Sequence, residues 1–361
     1  MNLDDLAAAG LYDPAAADAA ERRALLELAL QAGADLDEIR LAIEEHWLHA
    51  VPIQRAILGS SPRLTVAEAG RRAGLDESAA HRLWSALGLE ERTCTEDDVV
   101  VFEAYGFAGA AWGEVEELHL ARVMGSSLSR LADAEVTVTR AAIEAPLRAG
   151  GGDSTEVSRA MRDFGGDVLP GLHAAVARVH SHHLFRAGRR YSLWGVPPTE
   201  ESTSEVVVGF ADLVGFTSLG NQLEARQLDD LLRAFEERAH EAATGRTSRL
   251  VKLIGDEAMF VAGTAVEALE IASSLLDAAD LPPMRVGIAS GAVVIRAGDV
   301  FGRPVNLAAR LVATARPGEI VVDAVTAEAL GAGVRTVSRG RRVLTGFPEP
   351  VEVFAVSRSG G

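Results

Sequence analysis

Apolar positions recur at spacings of three and four through most of residues 14–186, then give way after about residue 205 to short β-branched runs alternating with helical stretches. The first regime predicts two helices within residues 14–50, where Gly33 and Asp35 supply a break and a fresh cap. It predicts a further pair over residues 64–89, separated by Gly74 and restarted by Asp76. A helix over 114–145 should stop at Pro146, and another over 155–186 should be interrupted near Gly165, Gly166 and Pro170. This half is expected to be all-helical. The stretch GVPPTEESTS, residues 195–204, reads as the linker.

The second regime predicts a buried strand over 206–212, a loop over 213–219 and a long helix reaching about residue 243. A hairpin turning at Ile254 and Gly255 follows, then a helix over 265–278 and a strand over 285–289. A loop and strand over 291–296, a helix over 305–315 and a strand over 320–323 complete the pattern. The order is that of the ferredoxin-like βαββαβ plan with additions at its end, so the whole chain is expected to be α+β. Three segments follow: a helical domain 1–190, a linker 191–204 and a mixed domain 205–358.

Composition narrows the function classes. The chain has 361 residues, long enough for two cores. No apolar run of about eighteen residues and no basic-then-apolar N-terminus occur, so neither a membrane span nor a secretory signal is expected, and the protein is expected to be cytoplasmic. One cysteine, Cys94, excludes an internal disulfide framework. Of the net charge of -17, about -13 falls before residue 204, which disfavours nonspecific nucleic-acid binding by that half. Residues 64–89 resemble a helix-turn-helix, but the second helix offers only Arg82 as a cation, and a structural helical pair is the favoured reading. Eight of the nine histidines lie in the first half, with His180, His182 and His183 clustered, so proton sensing is expected there if anywhere.

The candidate chemistry lies in three pieces of the second half. FADLVGFTSL, residues 210–219, ends an apolar strand in Asp212 and runs into a Gly-containing loop, a setting suited to magnesium bridged to phosphate. LVKLIGDEAMF, residues 250–260, carries Lys252, the only lysine in the protein, four residues before Asp256. A lone ammonium among arginines points to a site where a planar guanidinium will not serve. GDVFGRPVNLAARL, residues 298–311, places Asn306 and Arg310 four apart on one helix face, suited to ribose and polyphosphate.

Taken together, these pieces resemble the class III nucleotidyl cyclases over residues 205–356. The resemblance implies that Asp212, Asp256 and the backbone carbonyl of Leu213 bind two Mg2+ or Mn2+ ions per active site. It implies that Lys252 and Asp299 read adenine, that Asn306 orients the ribose, and that Arg310 stabilises the transition state. Phe216 and Thr217 are expected at the substrate. ATP would be cyclised to 3',5'-cyclic AMP and pyrophosphate at a homodimer interface, the metal aspartates coming from one protomer and the base, ribose and transition-state residues from the other. One departure stands out: the family often has Leu-Lys-Gly near its C-terminus, whereas this chain has Leu344-Thr345-Gly346, with Arg341 or Arg342 as candidate substitutes.

The helical half resembles the autoinhibitory, pH-responsive domain of soluble actinobacterial adenylate cyclases, which implies control by that domain and allows a lipid or fatty acid in it. Two alternatives remain open: a catalytically weak nucleotide-binding sensor, and a cyclase with a DNA-binding helix-turn-helix segment.

Overall fold

The computed structural model describes residues 1–59, 61–89, 93–195, 203–245 and 247–357. It divides into two compact units, Met1–His180 and Ser181–Gly361. Residues 196–202 of the expected linker lie outside the described residues.

The first unit has two apolar clusters. Helices Leu3–Ala8, Ala19–Gln31, Leu36–Glu44 and Val51–Leu58 enclose Leu6, Leu26, Ile39 and Val51. Asp35 caps the third of these by accepting the Glu38 N–H at 2.9 Å. Buried Glu38 is neutralised by Arg55 and by Arg63, the latter at 2.8 Å. The second cluster joins Val66, Leu83, Trp84, Phe102 and Ala121. The expected helical pair is present as Val66–Arg72 and Glu77–Ala86, with Gly74 left-handed at φ +81° between them.

Three expectations for this half need correction. It is predominantly helical, but it also holds a two-stranded antiparallel ribbon, β1 (Arg63–Thr65) with β2 (Thr93–Thr95), in which Leu64 faces Cys94. Strands of three residues are too short to show an alternating pattern. Pro146 does not stop its helix: Glu114–Thr139 passes through a π segment, Arg140–Glu144, into Ala145–Ala149. The proline then falls in the first turn of the new segment, where its missing N–H is tolerated. The next helix is continuous over Ser154–Leu193 with Pro170 inside. The carbonyl that this ring crowds belongs to Gly166, and both residues are exposed, so the freed carbonyl can turn toward water. Cys94 is buried, and burial pushes its thiol up to about 11, with Asp98 adding to the shift, so it remains a thiol rather than a reactive thiolate.

The second unit contains β3 (Thr203–Leu213), β4 (Arg249–Ile254), β5 (Glu257–Ala262), β6 (Met284–Arg296), β7 (Asp299–Phe301), β8 (Ile320–Asp323), β9 (Thr336–Arg342) and β10 (Val351–Val356). They form one sheet in the order β4-β5-β3-β6-β8-β10-β9, with β7 folded back on β6. Its first four strands have the ferredoxin-like arrangement, and β8 joins β6 in parallel. The expected pair of strands over 285–289 and 291–296 is a single strand, β6, because eleven residues of β3 pair with it without a break through Ser290 and Gly291. The ladder overrides the local turn signal.

Strand β3 is buried on both faces. Val207, Ala211 and Leu213 pack with Phe235, Ala268 and Ile271 from helices Ala225–Ala243 and Ala265–Leu276. Val206, Val208 and Phe210 pack on the other face with Leu307 and Leu311 from helix Arg303–Thr314. Trp194 belongs to this second cluster, its indole N–H donating to the Thr247 carbonyl at 2.9 Å. Among the described residues, no helix is long and apolar enough to cross a membrane.

Helix Arg303–Thr314 lies directly on Gly287 of β6: a Cβ there would sit 2.2 Å from Val312 N and 2.5 Å from the Ala308 carbonyl oxygen. Since those atoms are backbone, Gly287→Ala must lift the helix. It is expected to destabilise the protein by about 2 kcal/mol, measured by urea unfolding. An unchanged midpoint would show that the helix moves freely on the sheet.

Candidate active site

Asp212 occupies the last turn of pleat before β3 ends, directly opposite Glu257 on β5 and Arg285 on β6. Residues paired across neighbouring strands project to the same face, so the three charged side chains stand abreast. Asp212 is only 6% exposed, and the Arg285 Nε donates to its Oδ2 at 2.6 Å. Asp256 lies in the two-residue turn with Gly255, which takes φ +63°. The turn is therefore one residue later than the Ile254–Gly255 expected, and Asp256 sits in it rather than on a strand. The Leu213 N–H donates to the Asp256 carbonyl at 3.1 Å, tying the end of β3 to the hairpin. The Leu213 side chain belongs to the cluster on the opposite face, which leaves only its backbone for a ligand role.

Negative charge accumulates here. The Glu257 carboxyl is held above the usual range by burial first and then by the charges of Asp212 and Asp256, with Arg285 and Arg310 opposing. Among the described residues no three His, Cys, Asp or Glu side chains form a ready-made metal cage. Crowded carboxylates with too few donors for a complete shell fit Mg2+ or Mn2+, which keep positions for phosphate oxygens and water.

Lys252 lies on the same face, two rows along β4, opposite Met259. Asp299 reaches it from the β6–β7 hairpin, and the Lys252 Nζ to Asp299 Oδ2 distance is 2.5 Å. The other carboxylate oxygen of Asp299 accepts the Val300 N–H at 2.8 Å. The structure thus brings together two residues 47 positions apart in sequence.

Helix Arg303–Thr314 buries Pro304, Leu307, Ala308, Leu311 and Val312 against this face of the sheet, leaving Asn306 and Arg310 exposed one turn apart. Phe216 opens the short helix Phe216–Gly220 and packs against the opposite core; the Thr217 side chain lies outside the described residues. Near the C-terminus, Leu344 is buried and Arg341 donates to the Pro350 carbonyl at 3.2 and 3.0 Å. Arg342 lines a separate groove with Arg316 and Arg339. Sequence reasoning missed Glu257 and Arg285. Glu257 was visible beside Asp256, but Arg285 becomes a partner of Asp212 only through strand register.

Residues 199–358 match the adenylate and guanylate cyclase catalytic domain. An adenylate cyclase of Streptomyces coelicolor is 34% identical over 78% of this chain and 75% of its own length. A pH-sensitive adenylate cyclase of Mycobacterium tuberculosis is 32% identical over 99% of this chain and 92% of its own. The crystal structure of the adenylyl cyclase CyaB from P. aeruginosa is 25% identical over 44% of this chain and 96% of that one, with a TM-score of 0.41. The chain belongs to the class III nucleotidyl cyclases, and relatives named as adenylate cyclases match it well beyond the catalytic domain.

Because Asp212 is nearly buried, removing its cation leaves an uncompensated carboxylate. Arg285→Gln is expected to lower stability by about 1–2 kcal/mol in chelator-treated protein, less than a fully buried pair because Arg285 is partly exposed. Differential scanning calorimetry in EDTA checks this, and an unshifted transition would show that solvent already screens Asp212.

Proposed function

We propose that this chain is a cytoplasmic adenylate cyclase that converts ATP to 3',5'-cyclic AMP and pyrophosphate at a homodimer interface, under pH-responsive control by its helical N-terminal unit. The observation that carries the choice of ATP is the Lys252–Asp299 pair. Adenine offers an acceptor at N1 beside a donor amine, and an ammonium beside a carboxylate complements that edge. The two heads satisfy each other at 2.5 Å, so adenine would exchange one ion pair for two hydrogen bonds of matching polarity.

The remaining roles follow from chemistry. Asp212, Asp256 and the Leu213 carbonyl would hold two divalent ions, which when bound supply charge neutralisation and a lowered pKa for the attacking ribose hydroxyl. Asn306 would hold the ribose with its amide so that the 3'-oxygen faces the α-phosphorus. Arg310, one turn later, would bring a permanently charged guanidinium to the phosphoryl oxygens as negative charge shifts during in-line displacement. Arg285 adds a second cation on the carboxylate row, where it balances Asp212. With Asp212 and Lys252 serving different nucleotides, two copies of the chain would build two equivalent sites by isologous pairing.

Two partners fare less well. A groove of about 900 Å3 in the helical unit mixes Ala86 and Leu118 with Glu77, His81, Arg82 and Arg122, a lining too charged to single out an acyl chain. Arg82, the one cation of the second helix of the helix-turn-helix segment, is engaged by Glu114 at 2.6 Å and by Ser78, which disfavours DNA contact.

Purified full-length protein should form cyclic AMP from ATP with Mg2+ or Mn2+, and Asp212→Ala should reduce the rate by about a hundredfold or more. Absence of cyclic AMP in the wild type across about pH 5.5 to 8 would refute the enzyme reading. Control by the helical unit is tested separately with a chain beginning at Ser181, which retains Trp194 and the whole second unit. The expected result is a changed activity and a changed pH profile; equal activity with parallel profiles would refute regulation.

A further inference from the structure

The turn between β6 and β7 delivers Asp299 to Lys252, and its backbone is costly. Ala297 takes φ +53°, one of two non-glycine residues with positive φ among those described, and Gly298 follows at +75°. A left-handed alanine costs about 1 kcal/mol and persists only where neighbours hold it. Here the holding contact comes from Arg249, the first residue of β4, whose Nη2 donates to the Gly298 carbonyl at 2.5 Å. One strand therefore supplies both Lys252 and the guanidinium that fixes the turn carrying its partner.

We propose that Arg249 is a positioning residue for base recognition, holding the Ala297–Gly298 turn so that Asp299 remains beside Lys252 and thereby setting the preference for ATP over GTP. The proposal rests on the adenylate cyclase reading. Charge pairing does not account for this placement. Burial, and then the charge of Arg190 on the helix Ser154–Leu193, hold Arg249 below the ordinary arginine range, with Asp299 opposing. Arg190 itself has a buried Nε without a hydrogen-bond partner among the described residues. Two guanidinium groups in this proximity repel. What Arg249 gains is the geometry of a charge-assisted bond to one carbonyl, which a shorter or uncharged side chain cannot reproduce.

The test uses the full chain as wild type, Arg249→Met, Arg249→Lys and Arg190→Gln, with initial rates on ATP and GTP and displacement of a fluorescent ATP analogue by each nucleotide. Arg249→Met is expected to raise KM for ATP about tenfold and to lower the ATP-over-GTP ratio of kcat/KM about tenfold, with kcat within about threefold. Arg249→Lys should recover part of both. Arg190→Gln should keep the wild-type KM and ratio, because it removes charge without removing the turn contact.

Unchanged KM and ratio in Arg249→Met would overturn the proposal. An equal shift in Arg190→Gln would also overturn it by showing a general field effect. If Arg249→Met shows no folding transition, Arg249→Lys carries the test: a smaller shift in the same direction supports the clamp, and wild-type values refute it. If the wild type forms no cyclic AMP, the enzyme reading fails by itself, and the ATP-against-GTP displacement constants of the same variants still decide the role of Arg249.

Discussion

A carboxylate at the end of a strand buried on both faces is the constraint on which the rest of the second unit depends. Strand β3 feeds two apolar cores at once, so its register with β5 and β6 is fixed along its length, and that register sets Glu257, Asp212 and Arg285 in one row. A slip of one residue would exchange the two cores and turn Asp212 into the wrong one. Desolvation of Asp212 is costly without a cation, and Arg285 supplies one at 2.6 Å. Asp256 and Glu257 crowd the same place, leaving negative charge in excess of what Arg285 balances. The sheet that folds the unit thus also gathers three carboxylates and one guanidinium at a single strand end.

The sole lysine belongs to a second arrangement on that face. Its ammonium is a compact point charge paired with Asp299 and free of the planar constraint of a guanidinium. Arginines do the complementary work, at places where a fixed fork is useful: Arg249 on the Gly298 carbonyl, Arg285 on Asp212 and exposed Arg310 one turn beyond Asn306. In a chain otherwise without lysine, this division separates a mobile point charge from the fixed guanidinium forks.

Much of this was legible in the sequence, for identifiable reasons. Gly33, Asp35, Gly74 and Asp76 marked helix ends correctly because caps act over three or four residues. The order of strands and helices after residue 203 was readable because each element has its own period. Failures occurred where distant contacts override local chemistry: Gly291 reads as a turn yet lies inside β6, and Pro146 and Pro170 read as stops yet are carried by a π segment and by an exposed glycine. The Arg285–Asp212 and Arg249–Gly298 contacts span 73 and 49 residues, so no local pattern could announce them. Lys252 and Asp299 can be paired from the sequence only through the resemblance of the motif to a known family, since spacing does not join β4 to the β6–β7 turn.

Trp194 ties the end of the helix Ser154–Leu193 into the second unit. Its ring belongs to the second apolar cluster of this unit, its N–H is bonded to the Thr247 carbonyl, and its carbonyl accepts the Ser204 hydroxyl at 2.9 Å. The last turns of the helix ending at Leu193 are therefore part of the cyclase unit, with Arg186 donating to the Gly245 carbonyl at 3.3 Å and Arg190 beside Arg249. Strand β4, which carries both Lys252 and Arg249, is thus the edge strand that this helix end meets, whereas Asp212 lies inside the sheet between β5 and β6.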